Sequence, residues 1–198
     1  MRTMRGNWVV LSVLLVGAAW VNVSGGERSY PYGKGLDKWK AQSRPLSQEF
    51  PKVQEGSFRA SVRPEYFIDM QQVKKMKDMD NVVLLDARPE KFYQGKGPWN
   101  KPGHIPGAVN HFFGWNLDEH GTFRSPEELS GRLKNALGNV PPDHVICYCG
   151  SGVTACHNLL ALEHAGLPGA ALYAGSWSEW SSDPARPVEK GEGADRIW

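Results

Sequence analysis

The sequence predicts an α/β fold built on a parallel sheet. Three observations carry this reading. Val82-Val83-Leu84-Leu85 and the run His144–Tyr148 are apolar and continuous rather than alternating, as in strands covered on both faces. Stretches with helical spacing follow or precede these runs. Glycine or proline marks the joints between them. Strands that alternate with helices close into parallel sheets, because each parallel connection must cross a face of the sheet.

Each element has its own signal. Ser43–Arg63 is polar and carries Pro45 and Pro51, with Pro64 just beyond, which reads as linker. Ile68, Val73, Met76 and Met79 give a short helix over Ile68–Met79. Val82–Leu85 is the first buried strand. Ser125-Pro126-Glu127-Glu128 has the form of a capping box with proline in the first helical position, so a helix runs to about Leu137 and stops at Gly138. His144–Tyr148 is the next strand, and Val153–Ala165 a helix stopped by Gly166. Ala170–Ala174 reads as a further strand and Ser176–Ser181 as a short helix. In such sheets, ligands bind beyond the carboxyl ends of the strands. Asp86 and Cys149 both fall at such ends and can share one crevice.

Bulk composition narrows the function classes. The chain has 198 residues, 40% hydrophobic and 22% charged, enough for one packed domain with extensions. A net charge of +2 gives no basic surface for nucleic acid or an anionic membrane. Three cysteines make no disulfide framework, and Cys147 and Cys149 lack the second ligand pair of a zinc site. His157 and His164 stand seven apart on one predicted helix with no partner pattern for a metal. No metal is expected.

The first 26 residues stand apart. Arg2 and Arg5 precede an apolar stretch, Trp8–Val23, and no charge intervenes between Arg5 and Glu27. A basic start, an apolar centre and the small residues Gly17-Ala18-Ala19 fit a secretory leader, or an anchoring segment that would be the only route to a membrane. Export, a periplasmic location or membrane anchoring follows if the leader is genuine; a cytoplasmic or mitochondrial location is the alternative.

The chemistry centres on His144-Val-Ile-Cys147-Tyr-Cys149-Gly150-Ser151-Gly152-Val153-Thr154-Ala155-Cys156. Cys149 sits where a strand stops and a helix begins. Gly150 and Gly152 let the backbone turn its N–H groups inward, and the helix N-terminus adds partial positive charge. Both effects favour the thiolate, which is the nucleophile. Cys147 and Cys156 read as small core residues. Asp86 and Arg88, two apart at a strand end, can pair and brace the loop. His104, in a Gly/Pro-rich turn, suits a backbone hydrogen bond. Core packing is the plain reading of Trp177 and Trp180, with Trp177 a candidate for the pocket mouth.

The same residues carry a resemblance. Cys149-Gly-Ser-Gly-Val-Thr154 resembles the six-residue active loop of the rhodanese-like sulfurtransferases, in the form typical of the 3-mercaptopyruvate-using type. Leu85-Asp86-Ala87-Arg88, Gly103-His104-Ile105-Pro106-Gly107-Ala108 and Tyr173-Ala-Gly-Ser-Trp177-Ser-Glu-Trp180 resemble three further signatures, in family order over roughly Ser57 to Val188. The resemblance implies a rhodanese-like parallel sheet with helices on both faces, one complete domain over 64–190, an N-terminal extension and a tail over 191–198. Gly35-Leu36-Asp37-Lys38-Trp39-Lys40, with Arg44-Pro45-Leu46, resembles the end of the first domain of two-domain relatives, so 27–63 reads as its remnant plus linker.

The implied activity is transfer of sulfane sulfur from 3-mercaptopyruvate, or from thiosulfate, to Cys149 and then to a thiol or cyanide. The acceptor would be a small thiol or a thioredoxin-like protein, and no cofactor is required. The loop residues Gly150, Ser151, Gly152, Val153 and Thr154 would cradle the persulfide. Relatives place an arginine shortly after the strand-end aspartate, where this chain has Lys91, and a second in the next loop, where Lys96 or Lys101 would stand in. Arg88 is the other candidate for donor contact. Proposed helpers of Ser151 in two-domain relatives come from a first domain that is almost wholly missing from this sequence. A carrier module that receives its persulfide from a partner is therefore the alternative. A cysteine phosphatase would need arginine six residues after the cysteine, where Ala155 stands.

Overall fold

In the computed structural model, residues 35–191 are described apart from positions 51, 53, 54, 58, 62 and 98. The leader-like segment 1–26, residues 27–34 of the remnant segment and all of the tail 191–198 but its first residue lie outside them. Among the described residues no helix is long and apolar enough to cross a membrane.

Four parallel strands form the sheet: β1 (Val83–Asp86), β2 (Val109–Asn110), β3 (Val145–Tyr148) and β4 (Ala171–Leu172), in the order β2-β1-β3-β4. The two continuous apolar runs are its centre, with Val83 opposite Val145 and Asp86 opposite Tyr148. All eight of their residues are buried. Alternate side chains feed two cores. Val83, Leu85, Val145 and Cys147 point into one, with Leu129, Leu133 and Leu137 of helix α4 (Pro126–Leu137) and Leu159 and Leu162 of helix α5 (Val153–His164). Leu84, Ile146 and Tyr148 point into the other, with Val73 of α2 (Met70–Met76), Tyr93 of α3 (Glu90–Tyr93), and Trp177 and Trp180 of α6 (Ser176–Ser181). Helices thus cover both faces, as the continuous runs require.

The helix ends follow their signals. Ser125 accepts the Glu128 amide, Pro126 opens α4 and Gly138 closes it. The helix expected over Ile68–Met79 is shorter, because Asp69 caps it: Asp69 takes the Gln72 amide, and the Gln72 side chain takes the Asp69 amide, each at 2.8 Å. Phe67 and Ile68 instead join the sheet edge, where the Ile68 amide donates to the Leu172 carbonyl at 2.9 Å. Helix α1 (Gly35–Ala41) lies in the segment read as a remnant, and Trp39 Nε1 donates to the Pro45 carbonyl at 2.8 Å.

A buried polar network that the sequence did not announce joins α5 to the turn after β2. His111 Nε2 meets Asn116 Oδ1 at 2.8 Å, and Asn116 Nδ2 donates to Asn158 Oδ1 at 2.8 Å. Asn158 Nδ2 donates to the His111 carbonyl at 2.8 Å. His157 closes it, 3.3 Å from Asn116 Nδ2 and stacked on Phe123. His157, read from sequence as a surface or interhelical residue, is interhelical. Burial, and then the neighbouring His111, push its imidazole down from 6.5 to about 4. The unfolded chain therefore binds a proton that the folded one refuses between those values. Stability is expected to be complete above pH 6.5 and to fall by roughly 2–3 kcal/mol as pH drops to 4. His157→Gln should flatten this slope in urea unfolding followed against pH.

Candidate active site

Cys149 follows β3 at its carboxyl end and is 2% exposed. The backbone around it is tied back to α6. The Trp177 amide donates to the Cys149 carbonyl and the Ser178 amide to the Gly150 carbonyl, both at 2.9 Å, and Ser178 Oγ adds a bond to Gly150 at 2.7 Å. Cys149's own amide goes to Ser176 Oγ at 3.1 Å, and that hydroxyl donates to the Tyr173 carbonyl at 2.9 Å. Ser176 is fully buried and holds φ at +54°, an uncommon angle for a residue with a side chain. Ser176 was not among the residues picked out from sequence; its place in the Tyr173–Trp180 signature was the available signal.

With the carbonyls engaged, donors remain. Among the described residues no acceptor engages the amides of Gly150, Ser151, Gly152, Val153 or Thr154. Val153 opens α5, whose first-turn amides have no partner within the helix. Free amides and a helix N-terminus favour negative charge beside them. Gly152 makes the turn, with φ at +84° and a hypothetical Cβ 2.8 Å from the Ala174 carbonyl oxygen. Gly152→Ala is expected to lower stability by at least about 2 kcal/mol in urea unfolding, since the left-handed angle alone costs about 1–2 kcal/mol. Cys156 Sγ lies 3.3 Å from the Gly152 carbonyl, and Cys147 and Cys156 are buried. Burial pushes the Cys156 thiol up to about 11.

Asp86 and Arg88 form a bidentate pair behind the loop, with Nη2 to Oδ2 at 2.6 Å and Nε to Oδ1 at 3.0 Å. The Asp86 side chain also takes the Arg88 amide at 2.9 Å, and Arg88 Nη2 donates to the Gly103 carbonyl at 2.8 Å. The guanidinium lies over Trp177, 4.6 Å from the ring centre. Arg88 is 2% exposed. Asp86 matches its charge inside the protein, which favours support over donor contact, while Nη1 is buried without a hydrogen-bond partner among the described residues. Trp177 is fully buried beneath it and does not line a mouth.

His104 is buried, stacked on Tyr93 at 3.6 Å, with Nδ1 2.7 Å from the Tyr93 carbonyl. Burial pushes its imidazole below the usual range. Its backbone pairs in both directions with Glu189, so this turn is a structural clasp.

The candidate cations separate. Lys101 Nζ donates to the carbonyls of Asp183, Pro184 and Arg186, so it anchors its loop and is not a stand-in arginine. Lys91 is exposed on α3, its Nζ 5.1 Å from the Phe92 ring centre. Lys96 is exposed and bonded to Gln94 at 3.1 Å. Among the described residues no group of His, Cys, Asp and Glu is placed to hold a metal.

The profile of the rhodanese-like domain matches residues 69–183, which spans the sheet, the Asp86–Arg88 pair and the cysteine loop. The chain belongs to the rhodanese-like family. Within that family it is 42% identical over 160 residues to a probable 3-mercaptopyruvate sulfurtransferase of Pseudomonas aeruginosa, covering 80% of this chain and 56% of that one. It is 32% identical over 170 residues to the thiosulfate sulfurtransferase of Azotobacter vinelandii, covering 85% of this chain and 62% of the relative. The chain thus spans less than two thirds of either protein. Among solved structures, this rhodanese-like chain is similar to EanB in a complex with ergothioneine, with a TM-score of 0.71, 27% identity and coverage of 80% of this chain and 40% of that one. Another EanB structure carries a cysteine persulfide in a tetrahedral intermediate state with ergothioneine.

Proposed function

We propose that this rhodanese-like chain is a sulfurtransferase that moves sulfane sulfur from 3-mercaptopyruvate, or from thiosulfate, through a persulfide on Cys149. The observation that carries the reading is the set of unengaged amides from Gly150 to Thr154 beside a cysteine at a strand's carboxyl end. Relatives named for both donors support it.

The Cys149 thiolate attacks the donor sulfur. An S–S bond forms, the donor's C–S bond breaks, and its electron pair leaves on the enolate of pyruvate, which takes up a proton. From thiosulfate the leaving group is sulfite. The unengaged amides stabilise charge on the sulfur through both states. A thiol or cyanide then attacks the outer sulfur, and the Cys149 thiolate is restored. The acceptor is a small thiol or a protein dithiol of the thioredoxin kind; the loop residues Gly150 to Thr154 cradle the persulfide, and Lys91 is the exposed cation proposed for donor contact.

The carrier reading draws on a specific observation. Arg88 is paired with Asp86 and Lys101 is held by backbone carbonyls, so of the lysines read as donor contacts Lys91 and Lys96 are the exposed ones. Steady-state pyruvate release from 3-mercaptopyruvate with a thiol acceptor decides between them. Turnover is expected. Labelling of Cys149 only when a persulfidated protein partner is supplied would overturn the enzyme reading in favour of the carrier.

A further inference from the structure

We propose that Trp99 is the specificity-determining wall of the Cys149 site and that its indole N–H receives the anionic group of the sulfur donor; the second half of this assignment rests on the sulfur-transfer reading. A thiol that is 2% exposed must be screened by a neighbour, and the side chain lying over the adjacent residue is Trp99. A Cβ on Gly150 would lie 3.3 Å from Trp99 Cη2 and 3.4 Å from Cζ2. At the other end of the same ring edge, a Cβ on Gly97 would lie 2.9 Å from Trp99 Cδ1 and 2.8 Å from Phe92 Cδ1. The indole edge therefore bridges from Gly97 to Gly150, and Nε1 sits in the middle of that edge, between Cδ1 and the carbon that carries Cζ2. Nε1 is buried and has no hydrogen-bond partner. A buried N–H without an acceptor is costly, and the ring edge that carries it reaches Gly150, the first of five residues whose backbone amides also lack acceptors. Donors without acceptors select a small anion, a carboxylate or a sulfonate.

The wall is fixed rather than loose. Lys101, two residues on, is held by the carbonyls of Asp183, Pro184 and Arg186. Gly97 and Gly150 leave the ring room at both ends: a Cβ at Gly97 would collide with it, and one at Gly150 would crowd it by a few tenths of an ångström.

The test compares two electrophiles of equal size, iodoacetate and iodoacetamide, by the rate at which each labels Cys149 in the full chain, read by peptide mass. Cys147 and Cys156, 0% and 1% exposed, stay unlabelled while the fold is intact. The wild type is expected to favour the anion relative to glutathione. Trp99→Phe keeps an aromatic wall and loses the N–H, and it should lower this preference about tenfold, the weight of one hydrogen bond to a charged group. Trp99→Ala should lower the preference likewise and also raise the rate with the bulkier N-phenylmaleimide above that of wild type, by opening the wall. If Trp99→Ala exposes the other cysteines, the phenylalanine variant still decides. Ratios within twofold of wild type in the variants, or a wild-type ratio equal to that of glutathione, overturn the assignment. Shifted ratios in a protein that takes sulfur from no donor keep the wall and overturn the sulfur-transfer reading instead.

Discussion

Cys149→Ser is expected to abolish sulfur uptake. Incubated with 3-mercaptopyruvate and no acceptor, the wild-type chain should gain the mass of one sulfur atom, and Cys149→Ser should gain nothing. Turnover should fall by at least about 10³-fold, because the serine hydroxyl is a far weaker nucleophile and no base is paired with it. The substitution is nearly isosteric, and the loop is shaped by backbone bonds from Trp177 and Ser178 rather than by the sulfur. Stability should therefore stay within about 0.5 kcal/mol of wild type. Uptake of sulfur by Cys149→Ser, at Cys147 or Cys156, would sink the assignment of the nucleophile.

The second large effect concerns the buried pair behind the loop. Arg88→Met should cost about 3–5 kcal/mol in urea unfolding, because the Asp86 carboxylate, fully buried, loses its counter-charge and keeps its burial. Asp86→Asn should cost less, since the amide still accepts from the Arg88 amide, but it leaves a buried guanidinium unpaired. Replacing both at once, Asp86→Leu with Arg88→Met, should recover part of the loss, as removal of a whole buried pair is milder than removal of half. If the single and double substitutions cost the same, the pair is not what braces this end of the sheet.

Much of the fold was legible because its signals are local. Continuous apolar runs marked β1 and β3, and Ser125-Pro126 with Gly138 marked both ends of α4 to within a residue. The position of Cys149 between a strand and a helix was also local information. What was not legible depends on contacts between residues far apart in the chain. Lys101 reads as a free cation until the carbonyls of 183–186 are folded against it. Trp99 carries no sequence signal of its own, and only the fold sets its ring against Gly150. His111, Asn116, His157 and Asn158 are scattered polar residues whose spacing follows no period, and only the packing of α5 on the turn after β2 makes them a network. The boundary of α2 was missed for a simpler reason: Asp69 with Gln72 is a capping pair hidden within an apolar pattern that favoured an earlier start.

The ties from α6 to the cysteine loop have an evolutionary consequence. The cradle is drawn by main-chain atoms, by glycine and by the hydroxyls of Ser176 and Ser178, while Ser151 and Val153 are exposed, Val153 at 71%. Residues at those two places can be exchanged without redrawing the cradle. One loop can then carry different surface residues at its rim without losing its shape.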